Sequence, residues 1–378
     1  MLAIINATLV MHDHYIPDAT LLCDGGKIVD FGKELAIPEG AEILDAEGQY
    51  VGPGLIDIHT HAQGTYWFYE DAATASRIAL EHGVTTVLPV VYFNMNKEDF
   101  IGATRAIQKV VAEGDFPNFG GFYMEGPYMN PKFGADRESN PWQAPADPAD
   151  YLDIIRTAGK DAKVWALAPE RENIRDFMLA CKEENPTVVF TVGHSEATAE
   201  QVEELMPLGL RIGTHHTNAT GTLPYMDVLR APCVDEAVNY NDGLWAELIC
   251  DSRGIHVDPY MLRTVRRIKG RDRIMLISDA CVFGGPIPDG YEGVTDLCFD
   301  FAGEIAGSKL TLDVACRNMM VHTGASIADV FAYASYNPAQ AVGLEDVGEI
   351  RRGNVANLVI CDRKVNIKKV ILKGEIAK

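Results

Sequence analysis

Short apolar runs recur along the whole chain, and what separates them changes from one region to the next. Residues 1–52 carry LAIINATLV, ATLLCDGGKIVDFG and AEILDAEGQYV, broken by Gly-Gly and Pro-Glu-Gly turns and lacking helical periodicity. The last stretch, GEIRRGNVANLVICDRKVNIKKVILKGEIAK, has the same texture. Strand-like ends around a different middle predict one small β-sandwich domain built from residues 1–52 and 345–378.

Residues 53–344 predict a different architecture. LIDIHTH, VTTVLPVVY, FGGFYMEGP, KVWALAPE, VVFTVGHS, RIGTHHT, LWAELICDS and RIMLISDA read as buried strands. Most are separated by helical patterns, such as EDFIGATRAIQKVVAEG and ATAEQVEELMPLG. Strands alternating with helices in this way predict an α/β protein whose parallel sheet closes into a (β/α)8 TIM-type barrel. His59, His61, Glu125, Glu170, His194, His215, Asp251 and Asp279 all gather at the C-terminal ends of these strands. That end of a barrel is where active sites sit.

Composition narrows the function. A formal net charge of −21 over 378 residues repels nucleic acid and anionic membrane. It also opposes an anionic substrate unless Arg, Lys or His gathers locally. No run of about 18 apolar residues predicts a membrane span, and MLAIINATLVMHDH lacks the basic start of a signal peptide. The 8 cysteines show no CxxC spacing and read as buried free thiols of a cytoplasmic protein. No GxGxxG follows a strand, which disfavours a dinucleotide-dependent oxidoreductase.

Taken singly, the polar residues are ambiguous. His59 and His61 stand two apart, so both point the same way, as a metal pair or as structural histidines. Glu125 before Gly-Pro reads equally as a helix cap, and His194 as a satisfied core histidine. Of the adjacent His215 and His216, strand alternation lets one site see only one. Together they put several histidines and two acids at matching strand ends, where burying them unpaired is costly. A divalent cation removes that cost, and imidazole with carboxylate suits Zn2+, or alternatively Fe2+, better than calcium or magnesium.

The chain also resembles the amidohydrolase superfamily and, within it, the N-acetylglucosamine-6-phosphate deacetylase family. The resemblance runs through GPGLIDIHTH, GVTTVLP, MEGPYMNP, LAPE, GHSEAT, THHTNAT, GIHVD, LISDA, AGSKLTL, NPAQAVG and GEIRRGNVANLVICD. It implies that Glu125, His194 and His215 hold a primary metal, with Glu125 in the place of the carboxylated lysine of other branches. His59 and His61 match a pair that holds a second metal in some members, so one or two ions per subunit are implied. Asp279 matches the general acid/base. Asn218, Ala219, Ala306, Gly307 and Asp136 fall at substrate-contacting positions, and His256 with a neighbouring arginine at a phosphate subsite. His215 takes the ligand position, and His216 packs beside it or touches substrate. A homodimer acting on a small amino sugar is the expected assembly.

Two departures fall on substrate recognition. Relatives carry Arg-Glu-Pro where Arg230 is followed by Ala-Pro, which makes Arg230 the nearest phosphate candidate with its register open. Many read Gly-Ala-His where this chain has Gly134-Ala135-Asp136, and a carboxylate opposes a developing oxyanion. The expected reaction is therefore removal of acetyl from N-acetylglucosamine 6-phosphate or a close N-acetyl amino sugar phosphate. Two alternatives stay open: hydrolysis of another N-acyl compound, and a non-catalytic scaffold.

Overall fold

The computed structural model describes the backbone of residues 1–221, 224–226 and 229–378, and side chains outside 222–230. Among the described residues, eight strands form one parallel sheet in chain order: β1 (Leu55–Thr60), β2 (Val84–Tyr92), β3 (Phe122–Glu125), β4 (Ala162–Leu167), β5 (Val189–Val192), β6 (Leu210–Gly213), β7 (Trp245–Ile249) and β8 (Ile274–Ile277). Every adjacent pair is parallel. VTTVLPVVY in β2 is buried along nearly its full length. A barrel strand is covered on both faces, so it reads as a continuous apolar run and not as an alternating one.

The connecting helices follow their local signals. The helix Lys97–Glu113 starts at Asn96, whose side chain accepts from the Asp99 N–H, and stops at Gly114 in the left-handed conformation. Phe100, Ala103, Thr104 and Ile107 form its buried face. Thr198 and Gln201 make a capping box for Ala199–Leu205. The helical pattern expected through Gly209 gives way at Met206–Leu208 to a 3₁₀ turn, because Pro207 cannot donate to the α-helical ladder.

β8 and β1 are the two edges of the barrel sheet. Backbone bonds stitch them at the mouth: the Asp279 N–H donates to the His59 carbonyl and the His61 N–H to the Ala280 carbonyl, both at 2.9 Å. The seam therefore fixes three candidate site residues against one another.

Strands from both chain ends form a separate sheet. Leu358–Cys361 pairs antiparallel with Tyr50–Pro53, which lies parallel to Leu2–Val10, and Leu2–Val10 pairs in turn with Tyr15–Asp24. Its own core includes Ile4, Leu9, Leu21, Val51, Leu358 and Ile371. All 8 cysteines are buried free thiols.

Candidate active site

Six ligand-type side chains converge where the barrel strands end. His59 lies in β1 and His61 just beyond it; Glu125 is the last residue of β3. His194, His215 and Asp279 each sit two residues past the end of their strand, with φ of 47°, 28° and 46°. The left-handed conformation turns the chain sharply there, and it strains residues other than glycine. The pleat does not separate His215 from His216, since both lie beyond β6. The turn at His215 does.

The six fall into two groups, Glu125 with His194 and His215, and His59 with His61 and Asp279, and within each the donor atoms lie within 4.8 Å of one another. All six are buried. Glu125 faces both groups: Oε1 is 3.0 Å from His194 Nε2 and 3.5 Å from His215 Nε2, while Oε2 is 3.3 Å from His61 Nε2. Asp279 Oδ1 lies 3.2 Å from His61 Nε2.

Protons alone satisfy this cluster poorly. His194 Nε2 and His215 Nε2 face each other at 2.9 Å while both approach Glu125. The buried His59 Nε2 has no hydrogen-bond partner among the described residues, standing 3.6 Å from Asp279 and 3.8 Å from Glu125. Converging lone pairs and an orphaned ring nitrogen fit a divalent cation.

Charge in the protein alone is shared unevenly. Burial pushes Glu125 upward, yet hydrogen bonds from His194, His215 and His61 overcome it and hold the carboxyl well below its usual range. Burial depresses His61, but Asp279 and Glu125 outweigh it and raise the imidazole to about 9. His194 falls, chiefly through burial.

Beneath the cluster lies a residue that sequence reasoning passed over. Glu247, fully buried in β7, takes the His59 ring at 3.2 Å from Nδ1 and accepts from the His215 N–H at 3.2 Å and the Tyr123 hydroxyl at 3.4 Å. A carboxylate behind a histidine fixes which ring nitrogen stays free to bind metal. The available signal was a glutamate on the alternate set Trp245, Glu247, Ile249 of an otherwise apolar strand.

The Amidohydrolase family model matches residues 50–377. The chain belongs to the amidohydrolase family. It is 29% identical to an N-acetylglucosamine-6-phosphate deacetylase of Lysinibacillus sphaericus, over 93% of this chain and 91% of that one. It is 27% identical to an N-acetylgalactosamine-6-phosphate deacetylase of Escherichia coli O157:H7, over 90% and 91%. Among solved structures, an N-acetylglucosamine-6-phosphate deacetylase from Thermotoga maritima matches with a TM-score of 0.83 at 25% identity, covering 100% of this chain and 99% of that one.

In this amidohydrolase a cavity of about 310 Å³ opens above the cluster. Asn218, Ala219, Ala306, Gly307 and His256 line it. Among the described residues, Asn218 Nδ2 is a buried donor without a partner. Gly307 is required by close approach, because a Cβ there would stand 2.5 Å from the Asp279 carbonyl oxygen. The His256 ring is held at both ends, 3.1 Å from Asp251 through Nδ1 and 3.0 Å from the Gly307 carbonyl through Nε2. Burial raises Asp251, but His256 and backbone N–H groups bring it down to about 2.

Other expected residues lie elsewhere. The structure does not bring the Asp136 side chain to the cavity wall; its carboxylate turns to the Ser139 hydroxyl at 3.0 Å. His216 packs outside the cavity against Asn239, at 3.2 Å. Glu170 braces the His194 loop, accepting from the Ser195 hydroxyl and the Glu196 N–H, each at 2.7 Å. The side chain of Arg230 lies outside the described residues. Arg137, Lys132 and Glu304, which sequence reasoning did not select, do line the cavity.

Proposed function

We propose that this amidohydrolase removes the acetyl group from N-acetylglucosamine 6-phosphate, or from a closely related N-acetyl amino sugar phosphate, with a divalent metal bound. The observation that carries the reading is the convergence of Glu125, His194 and His215 with His59, His61 and Asp279 at the mouth of the barrel. Relatives that match more than nine-tenths of the chain and bear deacetylase names support it.

Glu125, His194 and His215 would hold the primary cation, zinc or ferrous iron by their donor chemistry, and His59 with His61 a second. When bound, such a cation supplies a Lewis acid for the amide carbonyl and lowers the pKa of water from about 15.7 to about 7. Asp279 accepts the proton of the attacking water as the carbon–oxygen bond forms. It then delivers that proton to the departing nitrogen as the carbon–nitrogen bond breaks, so the amino sugar leaves as a neutral amine beside acetic acid, whose remaining proton passes to solvent to give acetate. Glu247 keeps His59 Nδ1 engaged, leaving Nε2 directed at the cluster. Asn218 and Ala219 from the loop after β6, and Ala306 and Gly307 from the short strand Ile305–Ser308, orient the sugar.

The test is an acetate-release assay across N-acetylglucosamine, N-acetylgalactosamine and their 6-phosphates, run beside metal analysis. Turnover that vanishes on chelation and returns with zinc or ferrous iron is expected. Metal-dependent hydrolysis of other N-acyl compounds only, with none of these sugars turned over, would move the assignment to another N-acyl substrate.

A further inference from the structure

The cavity rim carries a charged pair that the chemistry at its floor does not use. Two loops, residues 131–139 and 300–304, meet over the opening. The Asp136 N–H donates to Asp300 Oδ2 at 3.3 Å. The next residue, Arg137, reaches across to Glu304 with both terminal nitrogens, one at 3.3 Å from Oε1 and the other closer to Oε2. Arg137 and Glu304 both line the cavity, yet their side chains are 41% and 53% exposed.

Among the described residues of the wall, the other cationic groups suit a phosphate less well. Both nitrogens of His256 already face acceptors of the protein. Lys132 also lines the cavity and pairs with Glu196 Oε2 at 2.5 Å, but its ammonium is a point charge without a planar fork. Arg137 therefore offers the planar, two-pronged donor suited to a phosphate. Its present partner is a single carboxylate in an exposed ion pair, which contributes little in water.

We propose that Arg137 selects the phosphorylated substrate, with Glu304 occupying the phosphate position until substrate arrives. This rests on the deacetylase reading above. A phosphate monoester carries about −1.5 to −2 charge at neutral pH, against −1 for Glu304, and three acceptor oxygens against two. The incoming phosphate takes the guanidinium, and Glu304, already half exposed, turns to solvent. Asp136 is then a positioning residue, whose main chain, pinned to Asp300, aims Arg137 across the opening.

The experiment measures the phosphate preference, kcat/KM for N-acetylglucosamine 6-phosphate divided by that for N-acetylglucosamine. Arg137→Ala should lower this ratio about 10- to 100-fold, the effect of losing a two-pronged charged contact. Arg137→Lys should fall between, and Glu304→Gln should raise the ratio a few-fold by removing the competitor. A ratio within twofold of the parent in Arg137→Ala, or one lowered by Glu304→Gln, overturns the proposal. Calorimetric titration with glucosamine 6-phosphate and with glucosamine separates it from the deacetylase reading. Phosphate-dependent binding that Arg137→Ala abolishes supports the proposal even where no acetyl group is released. Equal binding of the two ligands by the parent protein overturns it.

Discussion

The floor and the rim of one cavity hold their charges in opposite ways. At the floor, six titratable side chains are buried, and each approaches more than one neighbour; Glu125 alone faces His194, His215, His61 and His59. At the rim, Arg137 meets Glu304 and Lys132 meets Glu196, partner to partner and partly in solvent. Buried charge needs several partners or an ion to offset desolvation, whereas exposed charge is already hydrated and exchanges partners freely. The floor is thus built to keep one arrangement, and the rim to give one up. Fixed geometry suits bond breaking, and exchangeable pairs suit admission and selection.

The largest expected effect falls at the floor. Asp279→Asn keeps the shape and removes the base proposed above, so kcat should drop about 1,000-fold, within the range of a positioned acid–base group. Metal analysis should still find an ion at Glu125, His194 and His215; retained turnover would take Asp279 out of the proton-transfer role. Glu247→Gln tests whether the layer beneath belongs with the floor. It should lower metal affinity about 10- to 100-fold, the usual effect of removing a carboxylate behind a metal-binding histidine. A change in melting temperature with metal affinity intact would mark Glu247 as a packing residue only.

The phosphate-preference series at Arg137 and Glu304 comes next, since it moves specificity and not the chemical step. The smallest effect should come from Glu196→Gln, which breaks the pair to Lys132. Such exposed pairs contribute less than about 1 kcal/mol, so denaturant unfolding should shift by no more than that. A larger loss would mean that the rim is as tightly built as the floor.

The same contrast governs what could be read in advance. His59, His61, Glu125, His194, His215 and Asp279 stood out because each ends or follows an apolar strand, and a barrel collects such positions at one mouth. Glu247 did not, because its meaning lies in His59, 188 positions away in the chain. The pair His215 and His216 was resolved for a different reason than expected: strand alternation predicted one facing inward, and a left-handed turn after β6 does the sorting. Asp136 drew attention as a substitution at a substrate position, yet its neighbour Arg137 is the one that reaches the cavity.

Local order along the chain thus dictated the barrel, the strand-end histidines and carboxylates and the family, since periodicity and strand ends are written in neighbouring residues. Folding alone decided which carboxylate stands behind His59, that His256 is already engaged, and that two loops far apart in sequence close Arg137 onto Glu304. Those facts depend on side-chain direction and on distances across the barrel, which no spacing along the chain encodes.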